Sequence, residues 1–157
     1  LRRLVSFNAY TEGWALYAED FADEQGFYEH DPIGRIGFLR WQLWRAARLV
    51  VDTGIHAKHW SRQQAIDYLA QTTGDTAPTI ATEVDRYIAW PGQACSYEIG
   101  RREIMRLREQ ARTDLGVEFD LRSFHDAVLL HGEAPLGVLD QVIGDWVKDR
   151  RAHPARH

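Results

Sequence analysis

Apolar residues recur at three- and four-residue steps along most of the chain, and Gly, Pro and small polar residues interrupt them. Trp14, Tyr17, Ala18 and Phe21 form one such stripe, which predicts a helix from about Asn8 to Gln25, with Gly26 placed to end it. Asp31-Pro32 reads as an N-cap followed by a first-turn proline. The stretch behind it, Ile33 to about His59, carries Trp41, Leu43, Trp44, Leu49, Val50 and Val51. It is apolar around much of its circumference, so it is expected to be the central, most buried helix. Ser61 with Gln64 forms a capping box for a third helix to about Gln71, and Thr72 to Pro78 reads as a loop. A fourth helix is predicted over Thr79 to Ala89, and a fifth from near Gly92 to Gly116. Asp120 caps a short one over Leu121 to Leu130, stopped by Gly132. Pro135 opens the last, with Leu136, Leu139, Val142, Ile143 and Trp146 inside, and residues 148–157 are expected to form a charged, frayed tail. No useful run of period-2 alternation occurs. The fold class is therefore all-α: one domain, residues 1–157, a bundle of about seven helices.

Composition narrows the function classes. At 157 residues with 45% hydrophobic and 27% charged positions, the chain is long and apolar enough for one real core. A net charge of −4, with arginines scattered among acids, argues against nucleic acid as a partner. No apolar run is long enough for a membrane span. Cys95 is the one cysteine, so neither an intrachain disulfide nor a Cys-based metal site is expected; this suits a reducing compartment, which places the cytoplasm ahead of export while leaving export open. The opening Leu1-Arg2-Arg3 has no Met and no apolar signal region, and dense sequence follows within a dozen residues, so upstream polypeptide is expected.

Three stretches could carry chemistry. Glu12 and Glu19 lie seven apart, about two helical turns, and project from one side with Ala15 and Leu16 between them. A carboxylate on such a partly apolar face wants a cation, and a metal ligand with a supporting acid would satisfy both. Two solvated acids satisfy the same spacing, and spacing alone favours them. Asp52 and His56 are four apart and can touch along a helix, where the carboxylate would fix the ring tautomer; His56 would then face a substrate carbonyl or simply form a satisfied pair. His59 at the next step makes a weak His-x-x-His pattern. In the third stretch, Pro91-Gly92 breaks a helix amid aromatic residues, and Tyr87 and Tyr97 flank it with phenols that could stabilise an oxyanion or serve as ordinary core tyrosines. His125 reads as a cap or core partner. No phosphate loop and no Gly-x-Ser-x-Gly elbow is present.

Several stretches together resemble the family called domain of unknown function 885, bacterial proteins assigned to the zincin peptidases. They are Glu12-Gly13-Trp14-Ala15-Leu16-Tyr17-Ala18-Glu19; Arg45-Ala46-Ala47-Arg48-Leu49-Val50-Val51-Asp52-Thr53-Gly54-Ile55-His56; Arg86-Tyr87-Ile88 with Pro91-Gly92-Gln93-Ala94; Ser96-Tyr97 with Ile99-Gly100; and Phe124-His125-Asp126 with Pro135-Leu136. They stand in the family's order and cover nearly the whole chain. The resemblance extends to the helical gluzincins, in which a His-Glu-x-x-His helix supplies two zinc ligands and the general base, and a glutamate on a following helix supplies the third ligand. It implies that Glu12 is that third ligand, that Glu19 orients a ligating histidine, and that Tyr97, with Tyr87 behind it, steadies the oxyanion. His56 becomes a cleft residue.

The chain departs from this pattern in one respect. None of its seven histidines (His30, His56, His59, His125, His131, His153 and His157) sits in His-Glu-x-x-His. The resemblance places that motif upstream of Glu12, so this chain is read as the C-terminal portion of a zinc peptidase that cleaves a peptide substrate when intact. Alone it should be inactive and hold no zinc, because a catalytic site needs about three protein ligands. The other readings are a non-catalytic helical domain that binds a peptide or protein partner, and a homo-oligomer formed through the surface that missing polypeptide would cover.

Overall fold

The computed structural model describes residues 6–153, which hold seven α-helices and no strand. In chain order these are α1 (Asn8–Glu24), α2 (Pro32–Lys58), α3 (Arg62–Thr73), α4 (Ala77–Ala89), α5 (Gln93–Leu115), α6 (Leu121–Leu129) and α7 (Leu136–Ala152), with a short 3₁₀ turn, Gly116–Glu118, after α5. The all-α reading holds. Local chemistry sets most boundaries. Asp31 accepts the Gly34 N–H at 2.8 Å to start α2, and Ser61 and Gln64 close a reciprocal capping box on α3. Asp120 accepts the Ser123 N–H at the start of α6. The fourth helix begins at Ala77, earlier than the loop reading allowed, because Pro78 fits a first helical turn, where no N–H is needed. The last helix continues to Ala152, past the Lys148 at which the frayed tail was expected to begin; its remainder, residues 154–157, lies outside the described residues.

Two apolar clusters meet along α5. One joins Tyr10 and Tyr17 of α1 to Ile104, Leu107, Ala111 and Leu115 of α5 and to Phe124, Val128, Leu139 and Ile143 of α6 and α7. The other joins Trp44, Ala47 and Val51 of α2 to Ala65, Leu69, Ile80, Val84 and Tyr87 of α3 and α4, closing on Ala94 at the start of α5. The central helix is therefore α5. This corrects the expectation for α2, which leaves Ile33, Ile36, Leu39, Trp41 and Leu43 exposed. Apolar residues around a whole helix show that it wants burial on all sides, and the described residues cover only one side of α2. By contrast α5 is rich in Arg and Glu, yet small residues let neighbours approach it closely.

A pair of glycines lets α1 and α5 approach closely. A Cβ built on Gly100 would lie 1.7 Å from the Ala9 carbonyl oxygen, and one built on Gly13 would lie 2.4 Å from the Gly100 backbone. Only glycine at both positions lets α1 and α5 cross this tightly.

Candidate functional site

The crossing at Gly13 and Gly100 sets the α1 turn bearing Glu12 beside the α5 turn bearing Tyr97. Side-chain bridges then tie α1 to α2. Arg35 bonds Asp23 at 3.0 Å, Gln42 bonds Asp20 at 2.9 Å, and Arg45 grips both Glu19 oxygens at 3.0 Å. Contacts that climb α2 descend α1, so the two helices run antiparallel. Glu19 is thus the partner of an arginine. Glu12, two turns earlier and half-buried, makes no hydrogen bond or ion pair among the described residues.

The end of α2 holds the break between α4 and α5. Asp52, which is 2% exposed, accepts the Gly92 N–H with both carboxylate oxygens at 3.0 Å. Gly92 has φ 80° and α5 has no side-chain cap of its own, so Asp52 caps it from a neighbouring helix. One turn on, His56 Nε2 donates to the Tyr87 carbonyl at 3.0 Å, which fixes the hydrogen on that nitrogen. The Asp52–His56 pair suggested by the four-residue spacing is not formed, because each group bonds instead to one side of the break. His59 caps α2 in a left-handed conformation at φ 57°.

Burial separates the two tyrosines. Tyr87 is 1% exposed, and its hydroxyl donates to Glu83 at 2.7 Å. Burial and that carboxylate push the phenol well above its ordinary value, so it stays protonated. Tyr97 is half-buried, its ring stacked under the Arg48 guanidinium at 4.4 Å, and its hydroxyl makes no hydrogen bond among the described residues. Of the two phenols it is the one with a donor to offer.

Around these residues lies a polar set to which the sequence assigned no role, although Arg48, Arg86 and Gln93 stand in the stretches that carry the family resemblance. Arg48 and Arg86 both donate to the Gln93 side-chain oxygen, at 3.3 and 3.2 Å. Arg86 also forms a bidentate pair with Glu83. Burial works to raise the Glu83 carboxyl, but the hydrogen bonds from Arg86 and Tyr87 outweigh it and hold Glu83 below its usual range. Cys95, buried beside Asp52, has its thiol pushed up to about 11, first by burial and then by that carboxylate, so it is a poor nucleophile. The sequence did hold one signal for this set: Trp41, Trp44 and Arg48 recur at three- and four-residue steps and therefore share a helix face.

His125 belongs elsewhere. Its Nε2 lies 2.7 Å from the Tyr17 hydroxyl, and Trp14, Tyr17 and Phe21 meet its ring edge-on. That is a core partner's place.

These donors do not fit a zinc site by themselves. Among the described residues no group of three or more His, Cys, Asp or Glu side chains is arranged to hold a metal ion, and Glu12 is a single carboxylate.

Fold and site together define an all-α domain with an arginine-rich polar centre at a bent helix junction. Residues 1–143 match the family described as "Bacterial protein of unknown function (DUF885)", and the chain belongs to that family. It is also similar to a solved structure described as "the putative lipoprotein from Colwellia psychrerythraea", with 52% sequence identity and a TM-score of 0.91 over 95% of this chain. The chain spans 26% of that protein's length. No curated protein matches it. Among the described residues no helix is long and apolar enough to cross a membrane.

Proposed function

We propose that this chain forms one wall of the active site of a zinc-dependent peptidase, with the remaining zinc ligands and the general base supplied by polypeptide outside residues 1–157. The reading is carried by one contrast. Glu19, Asp52, Glu83 and the Tyr87 hydroxyl are all committed to partners, while among the described residues Glu12 and the Tyr97 hydroxyl, on turns that meet at the glycine crossing, are not. An uncommitted, half-buried carboxylate and an uncommitted phenol on meeting turns are what a metal ligand and an oxyanion donor require before their partners arrive. Zinc in such a site supplies Lewis-acid chemistry. Within this chain, Glu12 would be the ligand, Tyr97 would offer a hydrogen bond to the oxyanion, and Arg48 holds the Tyr97 ring from above. Asp52 and His56 position the helix break that carries both tyrosines. Glu19 braces α1 against α2 through Arg45, and Tyr87 stays in the wall behind.

The test uses the complete polypeptide that contains this chain. Zinc content and hydrolysis of a peptide library are measured for the native protein, Glu12→Gln and Tyr97→Phe. The expected result is that Glu12→Gln loses both, while Tyr97→Phe keeps its zinc and loses about 10²-fold or more in kcat. Full zinc occupancy and full activity in Glu12→Gln would end the proposal. So would the absence of an encoded His-Glu-x-x-His upstream of Leu1.

A second reading has its own observation. The exposed Ile33, Ile36, Leu39 and Leu43 side chains of α2 suit a non-catalytic helical domain that docks polypeptide, either the rest of its own protein or a second copy.

A further inference from the structure

A cavity of about 430 Å³ opens between α2 and α4, lined by Gly37, Trp41, Trp44, Arg48, Glu83 and Arg86 together with Arg40, Asp75 and Thr79. Its charges do not balance. Arg40 pairs with Asp75 and Arg86 with Glu83, but among the described residues no carboxylate pairs with Arg48. Arg48 is 6% exposed, and its Nε is buried with no hydrogen-bond partner. Its firmest polar contact is half of the Gln93 oxygen, which it shares with a second cation, Arg86. The faces of Tyr97 and Tyr87, at 4.4 and 5.3 Å from the guanidinium carbon, offer it only partial compensation. Glu83 is the nearby anion, but it accepts its hydrogen bonds from Arg86 and Tyr87, so the buried Arg48 guanidinium stays costly unless a further anion joins it. A planar carboxylate matches the fork geometry of Arg48, whereas the Arg86 fork is already taken by Glu83 and Gln93. Trp41 and Trp44, on the same α2 face as Arg48, add flat apolar surface beside it.

We infer that this cavity is a carboxylate-binding subsite for a peptide, with Arg48 on the carboxylate and an adjoining apolar side chain against Trp41 and Trp44. The inference deepens the peptidase reading and rests on it for the peptide nature of the ligand. Arg48 also stacks on the Tyr97 ring, so the same side chain links this cavity to the tyrosine assigned to the oxyanion. The carboxylate is either the C-terminus of the peptide or an acidic side chain, since both present the same group.

Calorimetric titration of the protein, with a chelator present so that binding is separated from hydrolysis, tests this with three probes. They are N-acetyl-Leu-Phe as the free acid, the same peptide as its amide, and N-acetyl-Leu-Glu-amide. The free acid, the amidated glutamyl peptide or both should bind at least about tenfold tighter than the all-neutral amide. A tight free acid points to the C-terminus, and a tight glutamyl amide points to a side chain. Arg48→Gln should abolish the difference. Should that variant fold poorly, Gly37→Leu serves instead: Gly37 lines the cavity and a Cβ there meets nothing within 4 Å, so a larger side chain takes up cavity space. Equal binding of all three probes, no binding at all, or an undiminished preference in Gly37→Leu overturns the subsite. A protein that hydrolyses peptides yet binds the three alike loses the subsite and keeps the peptidase reading. One that shows the preference but never takes up zinc does the reverse.

Discussion

At the scale of single residues, the buried polar side chains decide how the molecule responds to its surroundings. His125 sits in an aromatic cage, where burial first and the nearby Arg108 second hold its pKa below 6.5, against smaller opposing effects from Asp126 and Glu24. The phenol of Tyr17 is raised, mainly by burial, so the pair stands as a phenol donating to a neutral ring. On acidification the unfolded chain takes up its proton near pH 6.5 before the native ring does, so stability falls as pH drops through that region. Thermal midpoints should decline from about pH 7.5 to about pH 5.5, and His125→Gln should flatten the decline. Asp20, raised mainly by burial against its pairing with Arg101, works in the opposite sense at lower pH. A His125→Gln profile that overlays the native one would remove the histidine from this account. The sequence showed the aromatic stripe of Trp14, Tyr17 and Phe21 but could not show that His125 lies across it, because the two segments are more than a hundred residues apart.

At the scale of elements, what was legible was local and what was hidden was pairwise. Caps, stops and one-face stripes gave the helices to within a residue or two at most ends, since Ser61, Asp31, Asp120 and Gly116 act on their own neighbours. Which helix lies in the middle depends on which faces meet, and the long apolar run of α2 pointed to the wrong one. The same limit hid the arginines. Glu19 and Asp52 were visible as carboxylates, but their bonds to Arg45 and to the Gly92 N–H come from elements that the chain brings back later. The glycine crossing offers a sharp test of how α1 and α5 pack. Gly100→Ala puts a methyl group into the Ala9 backbone, which cannot rotate aside, so the cost should reach about 3 kcal/mol, near the top of the usual range for overpacking. Gly37→Ala, also within a helix but facing open space, should gain up to about 1 kcal/mol from better helix propensity. Denaturant midpoints of the two variants measure both, and a Gly100→Ala protein as stable as the native one would mean that the helices do not cross as described.

At the scale of the whole molecule, the unusual surface is that of α2. Ile33 is 80% exposed and Ile36 66%, and the exposed Leu39 and Leu43 follow them along the first half of α2. An exposed apolar strip of this kind is a docking surface in folded proteins. Its relative from Colwellia psychrerythraea is about four times as long as this chain, which leaves ample polypeptide in such a protein to cover the strip. The chain studied by itself should therefore self-associate at raised concentration. Light scattering should show mass above that of one copy, reduced by the double substitution Ile33→Ser with Ile36→Ser. A single copy at all concentrations would show that the strip tolerates water.

The turn of α2 from Asp52 to His56 bonds to one helix on each side of Pro91: the start of α5 through Gly92 and the end of α4 through Tyr87. A bend gripped from both sides works as a weld and not as a joint. For either arm to swing, it must break its own hydrogen bonds to that strut, so the strut sets the angle at which Tyr87 and Tyr97 stand.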